Sequence, residues 1–279
     1  MAVLSEVSES DAGGAVADIY DEIRQAYAAP YVSSLFRHLA TYPGLLEWIW
    51  EVMRPGFTSG SVQHTGWNHV DVSALAPLPA IDRPALRSLG VTGQDEAVIR
   101  DVCRTFTRVS PVNLVLAGCM NRLLTDQAEM VGTEPAPGRQ SLPVALPQLP
   151  DMVPWAALGP DRRAVLDVFK TDLAGEAFVP GLYRILAHWP AYLAHVAVVL
   201  GPRLSDPTVL ANCEEIADRI VDTAPQILTG LTAPTELPPI TVAETKRVLS
   251  AIQTYRGTSP QMVGFGTLLL NALPAGMTL

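Results

Sequence analysis

The chain has 279 residues, 48% of them apolar and 17% charged, which is enough to build a sizeable core and excludes a disordered chain. Nineteen basic against 28 acidic side chains give a formal charge of −9, and the arginines do not cluster, which excludes a groove for nucleic acid. Cys103, Cys119 and Cys213 show no metal-ligand spacing and the N-terminus has neither a cationic nor an apolar targeting segment, so a cytoplasmic chain with buried thiols is expected.

Apolar residues recur at helical spacing and no clear run alternates over strand length, which predicts an all-α fold. The first stripe, Val16, Ile19, Tyr20, Ile23 and Tyr27, follows Ser10 and Asp11. Another helix should begin near Thr92, with Asp95 completing an imperfect capping box. Val98, Val102, Cys103 and Phe106 are expected inside, and Asp95, Arg100, Asp101 and Arg104 outside. Between 131 and 160, prolines at 135, 137, 143, 147, 150, 154 and 160 remove amide donors and disfavour helical geometry before them, predicting an extended connector. Asp206-Pro207 then caps a helix that buries Val209, Cys213, Ile216, Ala217 and Ile220 and ends or bends at Gly230. Val248, Leu249 and Ile252 form a further stripe. The apolar stretch 262–279, broken by Gly264, Gly266, Pro274 and Gly276, reads as a buried final helix with no membrane span.

The connector lies at the chain midpoint, and the two halves match across it. Tyr31-Val-Ser-Ser-Leu-Phe-Arg-His-Leu-Ala-Thr-Tyr-Pro43 aligns on Phe178-Val-Pro-Gly-Leu-Tyr-Arg-Ile-Leu-Ala-His-Trp-Pro190 at an offset of 147. Val32/Val179, Leu35/Leu182, Arg37/Arg184, Leu39/Leu186, Ala40/Ala187 and Pro43/Pro190 are identical, and Pro55/Pro202 extends the match. Shifted by one residue, Val115 meets Val263 and Gly118 meets Gly266. The pattern predicts repeats at 1–130 and 161–279, a linker at 131–160, and an intramolecular pseudo-dimer with a small-molecule pocket at the seam.

This doubled apolar-Val-x-x-x-aromatic-Arg-x-Leu-Ala-x-aromatic-Pro motif resembles the group I 2-haloacid dehalogenases, the halocarboxylic acid dehydrogenase DehI family, over nearly the whole chain. The resemblance implies removal of halide from 2-halocarboxylic acids without metal or organic cofactor, by a carboxylate that activates water. The position of that aspartate is Leu182 here, which cannot accept a proton. The family's water-orienting asparagine maps to Ser110, with Asn113 close by. Tyr31 and Ser34 match positions that line the substrate cavity, and Tyr255-Arg256 sits near a pocket tyrosine of the family.

If the pocket is catalytic, acid and base come from elsewhere: His188, Tyr255 and Asp172 are candidates, with Glu176 and Tyr183 nearby. Each has a plainer reading. His188 can simply face solvent at a helix end, and Asp172 with Glu176 can be a solvated edge. Arg256 is a possible anion holder. His64, His69 and Asp71 fit no common metal motif, so no metal is expected. Gly264-x-Gly266 lacks the third glycine of a dinucleotide loop, and GxSxG and HExxH are absent.

Three functional readings follow. The first is an enzyme with repurposed chemistry, such as cyclisation, elimination or rearrangement, in an apolar pocket bordered by Tyr31, Ser34, Ser110, Asn113, Leu182, Tyr183 and Arg256. The second is a hydrolytic 2-haloacid dehalogenase with a relocated base. The third is a non-catalytic small-molecule binder. The partner is a small organic compound in each, and the chain is a monomer or a homodimer.

Overall fold

The structure is a computed structural model. It describes residues 5–132, 147–173 and 176–275, and only the backbone of 172, 173 and 176. The expected all-α architecture holds. In the first half, α1 (Ala15–Tyr27) closes on a left-handed Ala28 and is followed by α2 (Ser34–Leu39), α3 (Leu45–Thr58), α4 (Ser61–Asn68), α5 (Arg83–Ser88) and α6 (Gly93–Leu124). In the second, α7 (Pro160–Asp167) leads through a hairpin of β1 (Thr171–Leu173) and β2 (Glu176–Phe178) to α8 (Gly181–Leu186), α9 (Pro190–Leu204), α10 (Pro207–Val221), α11 (Ala224–Thr229) and α12 (Val242–Ala272).

The antiparallel hairpin, with Thr171 opposite Phe178, departs from the strand-free expectation. Its strands of three residues are too short for alternation to register. Residues 147–159 contain no α-helix, only a 3-10 turn at Trp155–Ala157, in keeping with their prolines. The remainder of the proline-rich connector lies outside the described residues.

Helix ends sharpen the sequence reading. Thr92 and Asp95 form a complete capping box rather than an imperfect one, and Thr241 with Glu244 forms a second. Ile99 takes the core position expected of Val98, which is half-buried. Arg100, expected outside, is nearly covered because it pairs with buried Glu96 at 3.1 Å. Gly230 caps α11, since α10 already ends at Val221. The stripe at 248–252 and the apolar end of the chain are one helix, α12, which stops at Ala272.

The two long helices, α6 and α12, make the most extensive packing between any two elements, with α4 against α6 and α10 against α12. Pro111 lies 19 residues after the cap Thr92, and Pro260 lies 19 residues after the cap Thr241. Caps and prolines thus align α6 with α12 at an offset of 149.

Gly118 lets α6 approach the corner between α10 and α11. A Cβ there would lie 2.8 Å from the Val221 carbonyl oxygen and 2.9 Å from the Ala224 Cβ. Gly118→Ala should therefore lower stability by about 1–3 kcal/mol through overpacking, read as a drop in the urea midpoint at unchanged m-value. An unchanged midpoint would mean that the two backbones are not in such close contact.

Candidate functional site

A cavity of about 470 Å³ lies where α2, α6, α8 and α12 meet, closed on one side by the segment before α1. Its wall residues fall in matched pairs from the two halves: Tyr31 with Phe178, Ser34 with Gly181, Arg37 with Arg184, Phe106 with Tyr255, Ser110 with Ser259 and Asn113 with Met262. Tyr31 and Phe106 form an aromatic side, ring centroids 5.8 Å apart. Ser33 donates to Asn113 Oδ1 at 3.5 Å.

Charge enters from the edges. The backbone N–H of Val7 donates to the Arg37 carbonyl at 2.9 Å, which brings Glu6 against Arg37 in an ion pair at 2.8 Å. Tyr255 donates its hydroxyl to the second Glu6 oxygen at 3.3 Å. Burial, and then the Glu6 charge, raise the Tyr255 pKa, so the phenol stays a donor. Glu9 pairs with Arg24 and accepts the Val32 N–H at 3.0 Å. Arg256 pairs with Glu214 and Asp218. Arg184 has its Nη2 on the Val153 carbonyl at 3.1 Å.

Of the residues expected in the site, Tyr31, Ser34, Ser110, Asn113, Tyr255 and Arg256 border this cavity together. Leu182 and Tyr183 do not. Leu182 is fully buried in the core, and Tyr183 is stacked on Phe169 with centroids 4.0 Å apart, its hydroxyl buried without a partner. In the first turn of α8 the residue facing the cavity is Gly181, so its neighbour turns inward. His188 is exposed, in contact with the Asp151 carbonyl at 2.9 Å, and is not part of the wall. Asp172 lies in β1 and Glu176 in β2, and their side chains are outside the described residues.

Glu6, Glu9, Arg37 and Arg184 were missed as site residues, although the identity of Arg37 and Arg184 across the two halves was visible. Among the described residues no group of three or more His, Cys, Asp or Glu is gathered as for a metal. His69 instead contacts the Thr65 carbonyl and Asp71 faces Arg219. No described helix is long and apolar enough to cross a membrane.

No family model matches the chain. A 75-residue stretch is 31% identical to an (R)-2-haloacid dehalogenase from Pseudomonas putida, covering 27% of this chain and 25% of that protein's length. The chain thus matches about a quarter of the length of this curated relative. Solved structures match far more fully. A D-2-haloacid dehalogenase mutant superposes with a TM-score of 0.79 at 18% identity, over 97% of this chain and 96% of that one. A D-2-haloacid dehalogenase complex with L-LA gives 0.78 with the same coverage, and a mutant complex with D-2-CPA gives 0.73.

The chain has the 2-haloacid dehalogenase fold. The local sequence match supports kinship with that family, as the doubled motif implied. Within this dehalogenase fold the cavity carboxylates come from the segment before α1, and α8 presents glycine.

Burial in the core also fixes a pH response. It pushes the Cys103 and Cys119 thiols from 9.0 up to about 12, Cys213 to about 11, and the Tyr20 hydroxyl from 10.0 to about 12. The unfolded chain ionises first, so these groups favour folding fully below about pH 9, and that contribution is lost as the pH rises to about 12. Urea midpoints should hold from neutrality to about pH 9 and fall steadily above it. A level profile to about pH 11 would contradict this linkage.

Proposed function

We propose that this chain is an enzyme that hydrolyses the carbon–halogen bond of small 2-halo organic acids, with Glu6 as the base that activates water. The observation that carries the reading is a cavity with a carboxylate on its wall, set in a scaffold matched to D-2-haloacid dehalogenases over 97% of the chain. The matched wall residues and the paired caps and prolines support an ancestral duplication that built the cavity from two halves.

Glu6 suits the role because Arg37 holds one of its oxygens and Tyr255 the other, which fixes the carboxylate at the cavity wall, and each oxygen has a second lone pair to accept a proton. In the proposed step, water attacks the halogen-bearing carbon from the side opposite the halogen. The halide leaves with the bonding pair, and Glu6 takes the water proton, giving a 2-hydroxy acid.

One observation favours a second reading, in which the cavity serves cyclisation, elimination or rearrangement. The α8 wall carries Gly181 and the adjacent Leu182 faces the core, so that wall offers no carboxylate.

Halide release from racemic 2-chloropropionate separates the two. Native protein should release halide, and Glu6→Gln, which keeps the shape and removes the charge, should lower kcat by about 100-fold or more. Release undiminished in Glu6→Gln would remove Glu6 from the mechanism. Silence from the native protein would end the dehalogenase reading and leave the second.

A further inference from the structure

Three arginines border the cavity, and two of them are neutralised within the fold. Arg37 has Glu6 at 2.8 Å, and Arg256 has Asp218 together with Glu214 at 3.7 Å. Arg184 has no carboxylate in salt-bridge range among the described residues. Its Nη2 rests on the neutral Val153 carbonyl, and its Nε is buried with no partner. A half-buried cation with no counter-ion among the described residues is costly, and burial depresses the Arg184 pKa, yet a guanidinium remains ionised at neutral pH.

The matched halves show how the imbalance arises. Val7 donates its N–H to the Arg37 carbonyl at 2.9 Å, and Val153 donates its N–H to the Arg184 carbonyl at 3.4 Å. The residue before Val7 is Glu6 and the residue before Val153 is Met152, and both border the cavity. The same backbone contact therefore sets a carboxylate beside one arginine and a thioether beside the other.

We propose that Arg184 anchors the anionic end of the ligand, a carboxylate of a small organic acid that supplies the charge missing opposite Met152. The choice of an organic acid rests on the dehalogenase reading; the anion site itself does not require turnover. A planar guanidinium matches a carboxylate in two parallel hydrogen bonds. A phosphate dianion would bring a second charge into a wall that already holds Glu6 and Glu9. The Tyr31–Phe106 side takes the apolar substituent.

The experiment compares binding of propionate with that of its neutral isostere propionamide by saturation-transfer NMR, on native protein, Arg184→Met, Arg184→Lys and Met152→Glu, each first shown folded by its thermal melt. Native protein should prefer the acid by about tenfold or more, Arg184→Lys should keep part of that preference, and Arg184→Met should lose it. Met152→Glu leaves Arg184 in place and should also abolish the preference, by completing the pair that Glu6 makes in the other half. Equal binding of acid and amide by native protein, or a preference retained in Met152→Glu, overturns the proposal. An intact preference without halide release would sink the hydrolytic reading and leave the anion site standing.

Discussion

Packing of α6 on α12 is the constraint from which the rest of the molecule takes its position. Each helix runs for more than thirty residues, starts at a Thr–acid capping box and carries a Ser-Pro step near its middle. A proline there cannot donate to the carbonyl four residues back, so neither helix keeps an unbroken ladder. Both Ser-Pro steps border the cavity. The shorter helices then attach to this pair, α4 on α6 and α10 on α12, and α2 and α8 bring the two arginines to the same space.

The polar chemistry is delivered by a different class of element. Helices supply Ser34, Phe106, Ser110, Tyr255 and Ser259 of the wall, while Glu6, Glu9 and Met152 come from non-helical segments that dock through the Val7 and Val153 backbone hydrogen bonds. A wall made this way changes character by one side chain in a loop, without repacking of the core. Leu182, by contrast, belongs to the core.

The parts of the fold that follow local rules were legible in the sequence. Apolar period, caps and prolines gave the long helices, and the family resemblance gave six of the residues that line the cavity. Glu6 was not legible, because a lone glutamate before the first helix has no period or motif and acquires meaning only when Val7 docks on Arg37. Arg184 was visible as an identity but not as a charge unpaired among the described residues, since pairing is a tertiary property. Leu182 was placed on the wall by resemblance and Tyr183 as its neighbour. In a helix of six residues neighbouring side chains diverge by about 100°, and only one face can meet the cavity.

A cavity bordered by residues from both halves of the chain could seat an occupant either way round. The contrast between Glu6 and Met152 breaks that equivalence: one end is acidic and internally neutralised, the other cationic and open. An elongated, charged guest then has a head and a tail, and the reversed pose carries an electrostatic penalty. Stereochemical discrimination can thus grow from the contrast of Glu6 with Met152, added to the differences of Ser34 from Gly181 and of Asn113 from Met262.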